Sequence, residues 1–485
     1  MQRHPVGPEG ERPHGDGAPD ADRAREIGRG RSALAFAVAT LLFTGAALYN
    51  GYPLVHFDTG TYVSSSFTFA VPLRRPVAYG LFLAAIHGGL TLWTVVLAQA
   101  AIATALIRRL LSPAPRRDAA LVAVVAVLVA LTNSPWFVGA IMPDALTGAC
   151  VLACFLLLRR PTSSRWILFF EGAVLVVGSA THYSHPPLVL ALVALAQAAK
   201  LAFPRLELAL KPAWVAAIAA ALAIPSLNLL LTGELFYTKA AHSFLLARMV
   251  NDGLVDDLLA KRCEDDEYVL CPYRERLHRE GQSFLWDPKS AFGRTGGWVA
   301  PAAPAWRMIL DSVRYDPGRQ LAAVVSNTFA QLTASECGEL LRYGPTDYVT
   351  QMLHARFPAE ADAFERSHQQ QRTLPWLFII TIPRWVVRGS AVVTAALLVA
   401  AAFGVRPPAL DLHVFTVAAL VLNAAIVSNL SNVANRYEAG VIWLLPLATL
   451  VTAAEWWSAR PPRTEAVPRP AALQPSASPG AAEPT

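Results

Sequence analysis

Long uninterrupted apolar runs dominate this chain, and their length predicts its elements. Runs such as Ala119–Leu131 and Trp214–Leu231 contain no charged residue. A helix needs about 20 mainly apolar residues to cross the hydrocarbon layer of a bilayer. We therefore predict an all-α polytopic membrane protein with about ten transmembrane helices, over residues 33–51, 88–109, 119–137, 145–158, 166–183, 187–203, 213–232, 389–405, 411–432 and 440–456.

Two apolar stretches are longer than one span requires. Val77–Leu111 is interrupted by Gly88-Gly89, and Leu374–Gly404 is interrupted by Pro383-Arg384. We expect each stretch to open with an interfacial helix lying on the outer surface, followed by the span itself.

A polar segment, residues 233–374, separates the seventh predicted span from the eighth. It is large enough to fold as a mainly α-helical domain, and it contains most of the Asp, Glu and Trp residues outside the apolar runs. On one side of it, we expect residues 33–232 to form a seven-helix membrane module whose outer loops are candidates for catalysis. On the other, we expect residues 375–457 to form an interfacial helix and three membrane helices. The Pro-rich ends, 1–32 and 458–485, are predicted to be disordered cytoplasmic tails.

The distribution of basic residues predicts the orientation. Short cytoplasmic loops of membrane proteins carry an excess of Lys and Arg. With the N-terminus inside, the inner loops receive Arg108, Arg109, Arg116, Arg117, Arg159, Arg160, Arg165, Lys200, Arg205, Lys211 and Arg406. The short outer loops keep only Arg74, Arg75 and Arg436. We therefore expect a multi-pass protein of the plasma (inner) membrane, with both termini cytoplasmic and residues 233–374 outside.

Composition agrees with a membrane protein. Hydrophobic residues make up 54% of the chain and charged residues only 16%, whereas soluble domains carry about 25% charged residues. The net charge of +6 is not arranged as a basic stripe with interleaved aromatic residues, so nucleic acid is not an expected partner.

The first apolar segment begins only near Ala33, so we expect no cleavable signal peptide.

Three of the five cysteines, Cys263, Cys271 and Cys337, fall in the polar segment, and Cys337 has no predicted partner. Cys263 and Cys271 could form a disulfide in an oxidising compartment, and the alternative is a pair of free thiols. No CxxC spacing or tight Cys/His cluster predicts a metal site. Cys150 and Cys154 lie one helical turn apart inside a predicted span and are interpreted as packing residues.

The first outer loop carries the densest group of polar residues near the membrane. Asp58 is accompanied by Tyr62, Arg74, Arg75 and Tyr79, and we predict that the two tyrosines and the two arginines bind substrate. A carboxylate beside guanidinium groups suits a general base next to a phosphate-binding site. The alternative is a solvated loop in which Asp58 caps a helix and the arginines act as a stop-transfer signal at the membrane surface.

The second and third outer loops add further candidates. Asp144 is interpreted either as the N-cap of the fourth span or as a second acid facing the same cavity as Asp58. His182 and His185 could bind a phosphate or a metal, although solvated interfacial histidines are the commoner case.

The ninth span has a polar outer half. Asn429, Asn432 and Arg436 follow the helical three-then-four spacing and are predicted to share one face, with Tyr437 next to them. Polar side chains at membrane depth usually face a bundle interior or an aqueous cavity. Hydrogen bonding between helices is the alternative.

These features together resemble the GT-C superfamily, the polytopic glycosyltransferases that use polyprenyl-phosphate-linked sugars, and in particular an uncharacterised bacterial subgroup. The layout match covers most of residues 33–456. The resemblance is carried by Phe57-Asp58-Thr59-Gly60-Thr61-Tyr62, Arg75-Pro76-Val77-Ala78-Tyr79 and Met142-Pro143-Asp144.

The resemblance implies that Asp58 acts as the catalytic base in an inverting sugar transfer, with Asp144 as a second catalytic candidate. It implies that Arg74, Arg75 and Arg436 hold the donor phosphate. The expected partners are the lipid bilayer, the polyprenyl-phosphate sugar and a glycan, lipid or protein acceptor. No cofactor follows from it with certainty, and a divalent-metal requirement stays open. The competing hypotheses are a transporter or flippase of a lipid-linked or anionic substrate, and a non-catalytic membrane scaffold.

Overall fold

The computed structural model describes residues 18–112, 116–159, 162–265, 267–277, 283–341 and 347–459. Within these ranges the chain is helical, and extended pairing is limited to an isolated parallel bridge between Leu54 and Ala140. The predicted tails fall mostly outside the described residues. The first helix, however, begins at Ala18, inside the tail predicted over residues 1–32.

Among the residues that the structure describes, six helices are long and apolar enough to cross a membrane, so the chain is a multi-pass membrane protein. They are Trp93–Leu110, His185–Ala202, Leu210–Thr232, Leu377–Ala402, Leu410–Leu430 and Asn435–Trp457. The last divides into Asn435–Ile442 and Leu444–Ala459. Each of the six overlaps a predicted span.

The other four predicted spans fall on shorter or divided helices, and their crossing of the membrane stays a prediction. These helices are Ala18–Phe43 with Gly45–Asn50, Arg117–Leu131 with Ser134–Val138, Thr147–Arg159, and Arg165–Ala180. Thr147–Arg159 is buried on all sides as far as Leu158. A helix buried all round has no polar face, which explains its continuous apolar sequence.

Only the first of the two long apolar stretches is interrupted where the sequence predicted a break. The first divides at the predicted point: Ala78–His87 ends at Gly88, which has a φ of 55°, and the next helix begins at Trp93. The break predicted at Pro383 is wrong, because a π-helical turn, Leu377–Thr381, continues into the helix Ile382–Ala402. Pro383 is the second residue of that α-helix and follows the π-helical turn directly.

The segment between the membrane helices folds as short helices. They are Ala241–Asn251, Leu254–Arg262, Ser283–Trp286, Ala291–Arg294, Ala302–Tyr315, Pro317–Thr333, Gly338–Leu341, Asp347–Arg356 and Ala361–Glu365. Much of it has its own apolar core, which includes Leu246, Val255, Leu258, Phe284 and Met308.

Cys263 and Cys271, the pair suggested by the sequence, are joined by a disulfide beside this core. We expect peptide mapping without reductant to recover the two cysteines in one cross-linked peptide. Cys263→Ser and Cys271→Ser should each lower the unfolding free energy of the segment, since losing a native disulfide typically costs about 2–5 kcal/mol. Cys337→Ser, which removes a buried free thiol, serves as the control. Free alkylation of both cysteines in protein from its native membrane would contradict the pairing.

The loop that leads into Asp58, predicted to be the first outer loop, is held on both sides by hydrogen bonds to its backbone. Leu54 N–H donates to the carbonyl of Gly139 at 2.9 Å, and Ile141 N–H donates to the carbonyl of Leu54 at 2.8 Å. The side chain of Gln369 donates to the Val55 carbonyl at 2.7 Å and accepts from the Val55 N–H at 3.0 Å. These contacts fix this loop against the predicted second outer loop and the end of the polar segment.

Candidate functional site

A cavity of about 980 Å³ lies where the first outer loop, the polar segment and the chain after the span Leu410–Leu430 meet. The first outer loop contributes Phe57, Asp58, Thr61, Pro72, Leu73, Arg74 and Arg75. The polar segment contributes Phe244, Ala247, Asn251, Leu285, Trp286, Trp298, Glu339 and Tyr348, and the last wall consists of Ser431, Asn432, Ala434, Arg436 and Tyr437.

Asp58 is the charged centre of this cavity. Its carboxylate accepts a hydrogen bond from Arg75 at 2.6 Å through Oδ1 and one from Arg436 at 3.2 Å through Oδ2. Asp58 stands at the N-cap position of the helix Thr59–Thr68, yet its side chain makes no capping hydrogen bond. The interpretation of Asp58 as a helix cap is therefore wrong, since its carboxylate pairs with the two guanidinium groups.

The charges around Asp58 determine the protonation state of its carboxyl group. Burial by itself would raise the pKa of the Asp58 carboxyl, but the charges of Arg75 and Arg436 outweigh burial and hold that pKa well below its usual range. Two guanidinium groups thus face one ionised carboxylate. The cluster of Asp58, Arg75 and Arg436 is net positive and suited to an additional anion.

Cationic and aromatic side chains contact one another along the same cavity. The guanidinium of Arg74 lies 5.1 Å from the ring centroids of both Trp286 and Trp298. The guanidinium of Arg436 lies 4.9 Å from the ring of Tyr437 and 5.8 Å from that of Phe57. Contacts of this kind hold a guanidinium in place without neutralising its charge.

The predicted common face of Asn429, Asn432 and Arg436 is wrong. The helix ends at Leu430, Asn432 lies in the following loop, and Arg436 belongs to a new helix that starts at Asn435. Asn432 and Arg436 still reach the cavity, because the break in the helix turns the chain toward it. Asn429 instead donates to Thr328 of the polar segment at 3.2 Å, which matches the alternative of hydrogen bonding between helices.

Tyr62 and Tyr79, predicted to bind substrate, do not line the cavity. Both are fully buried, and their rings meet edge to face with centroids 5.0 Å apart. The Tyr79 hydroxyl donates to Gln99 at 2.8 Å. Both tyrosines therefore support the floor of the site as packing residues.

Asp144 lies behind the cavity wall, so the prediction that it faces the same cavity as Asp58 is not met. It is also not the N-cap of the fourth span, because it is inside the 3₁₀ turn Pro143–Leu146, whose N-cap is Met142. Burial raises the pKa of the Asp144 carboxyl, against the opposing effect of the charge on Arg436.

His182 and His185 do not line the cavity either. His185 is buried, with Nε2 2.9 Å from the Thr147 hydroxyl and Nδ1 3.0 Å from the carbonyl oxygen of Gly178. The His182 ring lies edge-on to Tyr437, at 5.9 Å between centroids. The structure therefore places His182 next to the lining residue Tyr437, with neither histidine among the residues that line the cavity.

No sequence pattern indicated the aromatic wall formed by Trp286, Trp298 and Phe244. Their rings cluster, with Trp298 5.4 Å from Trp286 and 5.3 Å from Phe244. The abundance of Trp in the polar segment was the only available signal, and it did not identify which residues approach Asp58.

Within the described ranges, no group of three or more His, Cys, Asp or Glu side chains is arranged to hold a metal ion. Comparison of the chain with protein-family models, with curated proteins and with solved structures finds no match.

Proposed function

We propose that this protein is a membrane glycosyltransferase of the GT-C type, which transfers a sugar from a polyprenyl-phosphate donor to an acceptor outside the cytoplasm with inversion. The acceptor is a hydroxyl-bearing glycan, lipid or protein. The observation that carries the proposal is the cavity in which Asp58 and Arg75, from one loop, meet Arg436, from the start of the candidate membrane helix Asn435–Trp457.

The donor phosphate is the anion that this cluster accepts in the proposal. Arg75 and Arg436 already point at one carboxylate, and Arg74 adds a third guanidinium on the same cavity. Guanidinium groups bind phosphate through paired hydrogen bonds. A polyprenyl phosphate can reach a site at the ends of membrane helices while its chain stays in the bilayer.

Phosphate binding also prepares Asp58 for catalysis. A carboxylate held by two guanidinium groups is ionised but is a weak base, because its pKa lies far below the working pH. An anion placed between Arg75 and Arg436 offsets their charge, which raises the pKa of Asp58. The base therefore gains proton affinity only when the donor is bound.

In the transfer step the acceptor hydroxyl oxygen attacks the anomeric carbon and forms the new glycosidic bond. The bond between that carbon and the phosphate oxygen breaks, and polyprenyl phosphate leaves with the electron pair. The hydroxyl proton passes to the carboxylate of Asp58. Arg74, Arg75 and Arg436 stabilise the negative charge that develops on the departing phosphate, often the largest catalytic contribution of an enzyme site.

The test is incubation of the purified protein with a panel of polyprenyl-phosphate sugars and measurement of released polyprenyl phosphate. We expect one donor to be consumed with an acceptor present, and the product to have the opposite anomeric configuration. If no donor is consumed but labelled lipid-linked sugar crosses vesicles containing the protein, the transporter hypothesis replaces this one.

The proposal also places ten helices across the plasma (inner) membrane, with both termini in the cytoplasm and residues 233–374 outside. The bias of basic residues toward the inner loops supports this orientation.

Cysteine labelling in intact cells tests the orientation. Lys289→Cys, at an exposed position of the polar segment, should react with a membrane-impermeant maleimide. Arg116→Cys, at an exposed position of a predicted inner loop, should react only after permeabilisation. The opposite pattern would invert the proposed topology.

A further inference from the structure

The helix Pro317–Thr333 has the reverse polarity of a helix on a water-soluble domain. Leu321, Val325 and Phe329 point outward, with 65%, 63% and 69% of their surface exposed. They recur every fourth residue and therefore form one face. Asn327 and Gln331 are buried on the other side.

The buried polar residues are bonded to the protein. Gln331 donates to the carbonyl of Ala434 at 2.8 Å and accepts from the N–H of Ala434 at 2.9 Å. Asn327 donates to Asp252 at 3.0 Å and to the side-chain oxygen of Asn429 at 3.4 Å. The helix is thus seated on the outer end of the span Leu410–Leu430 and on the loop that leads to Arg436.

This arrangement is stable in lipid rather than in water. In water an exposed row of large apolar side chains is unfavourable and marks a contact surface. In a bilayer, acyl chains cover apolar side chains, and polar groups must find partners inside the protein.

From this reversed polarity we infer that Pro317–Thr333 lies in the outer leaflet, with Leu321, Val325 and Phe329 against lipid acyl chains. The chain enters this helix from Ala302–Tyr315 and leaves it toward Gly338–Leu341, and both are parts of the polar segment that the proposed topology places outside. The helix is therefore embedded at the outer side without crossing.

Two neighbouring surfaces continue the apolar face. The span Leu410–Leu430, on which the helix rests, also exposes large apolar side chains, among them Val421 and Leu430. The preceding helix, Ala302–Tyr315, exposes Trp306 and Leu310 beside basic residues. Trp and Arg next to an apolar stripe are typical of helices at the membrane interface.

The inference changes the interpretation of the polar segment. Part of residues 233–374 is in lipid, and Gln331 holds Ala434 only two residues before Arg436. The inference therefore places the candidate cavity at the depth of the lipid headgroups of the outer leaflet. The contact with lipid does not depend on the glycosyltransferase activity, whereas the assignment to the outer leaflet rests on the proposed topology.

Nitroxide accessibility tests the inference on the full-length protein in vesicles of phosphatidylethanolamine and phosphatidylglycerol. Spin labels are placed at Leu321, Val325 and Phe329, where exposed side chains leave room for the label. The control is a label at Arg274, an exposed position of the same polar segment. Protein without introduced cysteines controls for Cys150, Cys154 and Cys337, which are buried.

Oxygen dissolves in lipid, so it should increase the relaxation rate of labels in the leaflet several-fold more than a water-soluble nickel chelate does. The label at Arg274 should show the reverse. Strong relaxation by the nickel chelate at all three positions would place the face in water and overturn the inference. Exclusion of both reagents together with spin–spin broadening would show the face buried against a second copy of the chain, and would overturn it equally.

Discussion

Asp58→Asn is expected to reduce sugar transfer by about 10²–10⁴, the usual contribution of a general base. The amide keeps the size of the side chain but cannot accept the acceptor proton. Binding of polyprenyl phosphate should stay the same or become tighter, because Arg75 and Arg436 lose the carboxylate that competes with phosphate for them. The measurements are the initial rate of transfer and the affinity for polyprenyl phosphate.

The binding measurement separates a base from a positioning residue. If Asp58 only orients the two arginines, its removal weakens donor binding along with the rate. Because Asp58→Asn leaves two guanidinium groups without their buried partner, some loss of stability is expected as well. Thermal unfolding with and without polyprenyl phosphate checks that the protein is folded, since a ligand of the native state raises its stability.

Asp144→Asn is the matched control for Asp58→Asn. It makes the same chemical change in a carboxyl group that is buried but does not line the cavity. We expect it to keep much more activity than Asp58→Asn. Retention of more than about a tenth of wild-type transfer by folded Asp58→Asn, short of the loss a base should cause, would reject the assignment.

Arg436→Gln is expected to weaken binding of polyprenyl phosphate and to lower transfer by about 10²–10³, the cost of removing one donor to a developing charge. Arg436 is buried, contacts Asp58 directly and lines the cavity. Arg436→Lys should recover only part of the loss, because a lysine ammonium keeps the charge but not the planar pair of donors. The affinity for polyprenyl phosphate and the transfer rate are measured for both variants.

Arg384→Gln provides the control for a general loss of positive charge. Arg384 is exposed and paired with Glu336, and it does not line the cavity, so both measured quantities should be unchanged. Wild-type affinity for polyprenyl phosphate in Arg436→Gln would mean that the phosphate binds elsewhere.

The protein's membrane character follows from the sequence alone. The apolar run at Leu210–Thr232 and the break at Gly88 are local features, and the sequence predicted both. Bilayer thickness sets the length of a membrane helix, so the requirement is met inside one stretch of chain. The same locality holds for Cys263 and Cys271, which are close enough in sequence to pair without knowledge of the rest of the fold.

The composition of the candidate site was decided only by the tertiary structure. The sequence singled out Asp58, Arg74, Arg75 and Arg436, but it did not show that Trp286 joins them. A helix or loop is determined by neighbours in sequence, whereas a cavity depends on which distant segments pack together.

The sequence likewise did not predict which of these residues are buried or where the helices end. Tyr62 and Asp144 have the residue types of a site, but packing places them behind its wall. The regular spacing of Asn432 and Arg436 suggested one helix face, and the break after Leu430 removed it. The helix Pro317–Thr333 carries polar and apolar residues in amounts that suit either water or lipid. Only its contact with Leu410–Leu430 determines which face points outward, because the polar side chains of Asn327 and Gln331 are satisfied on that partner and its neighbouring loop.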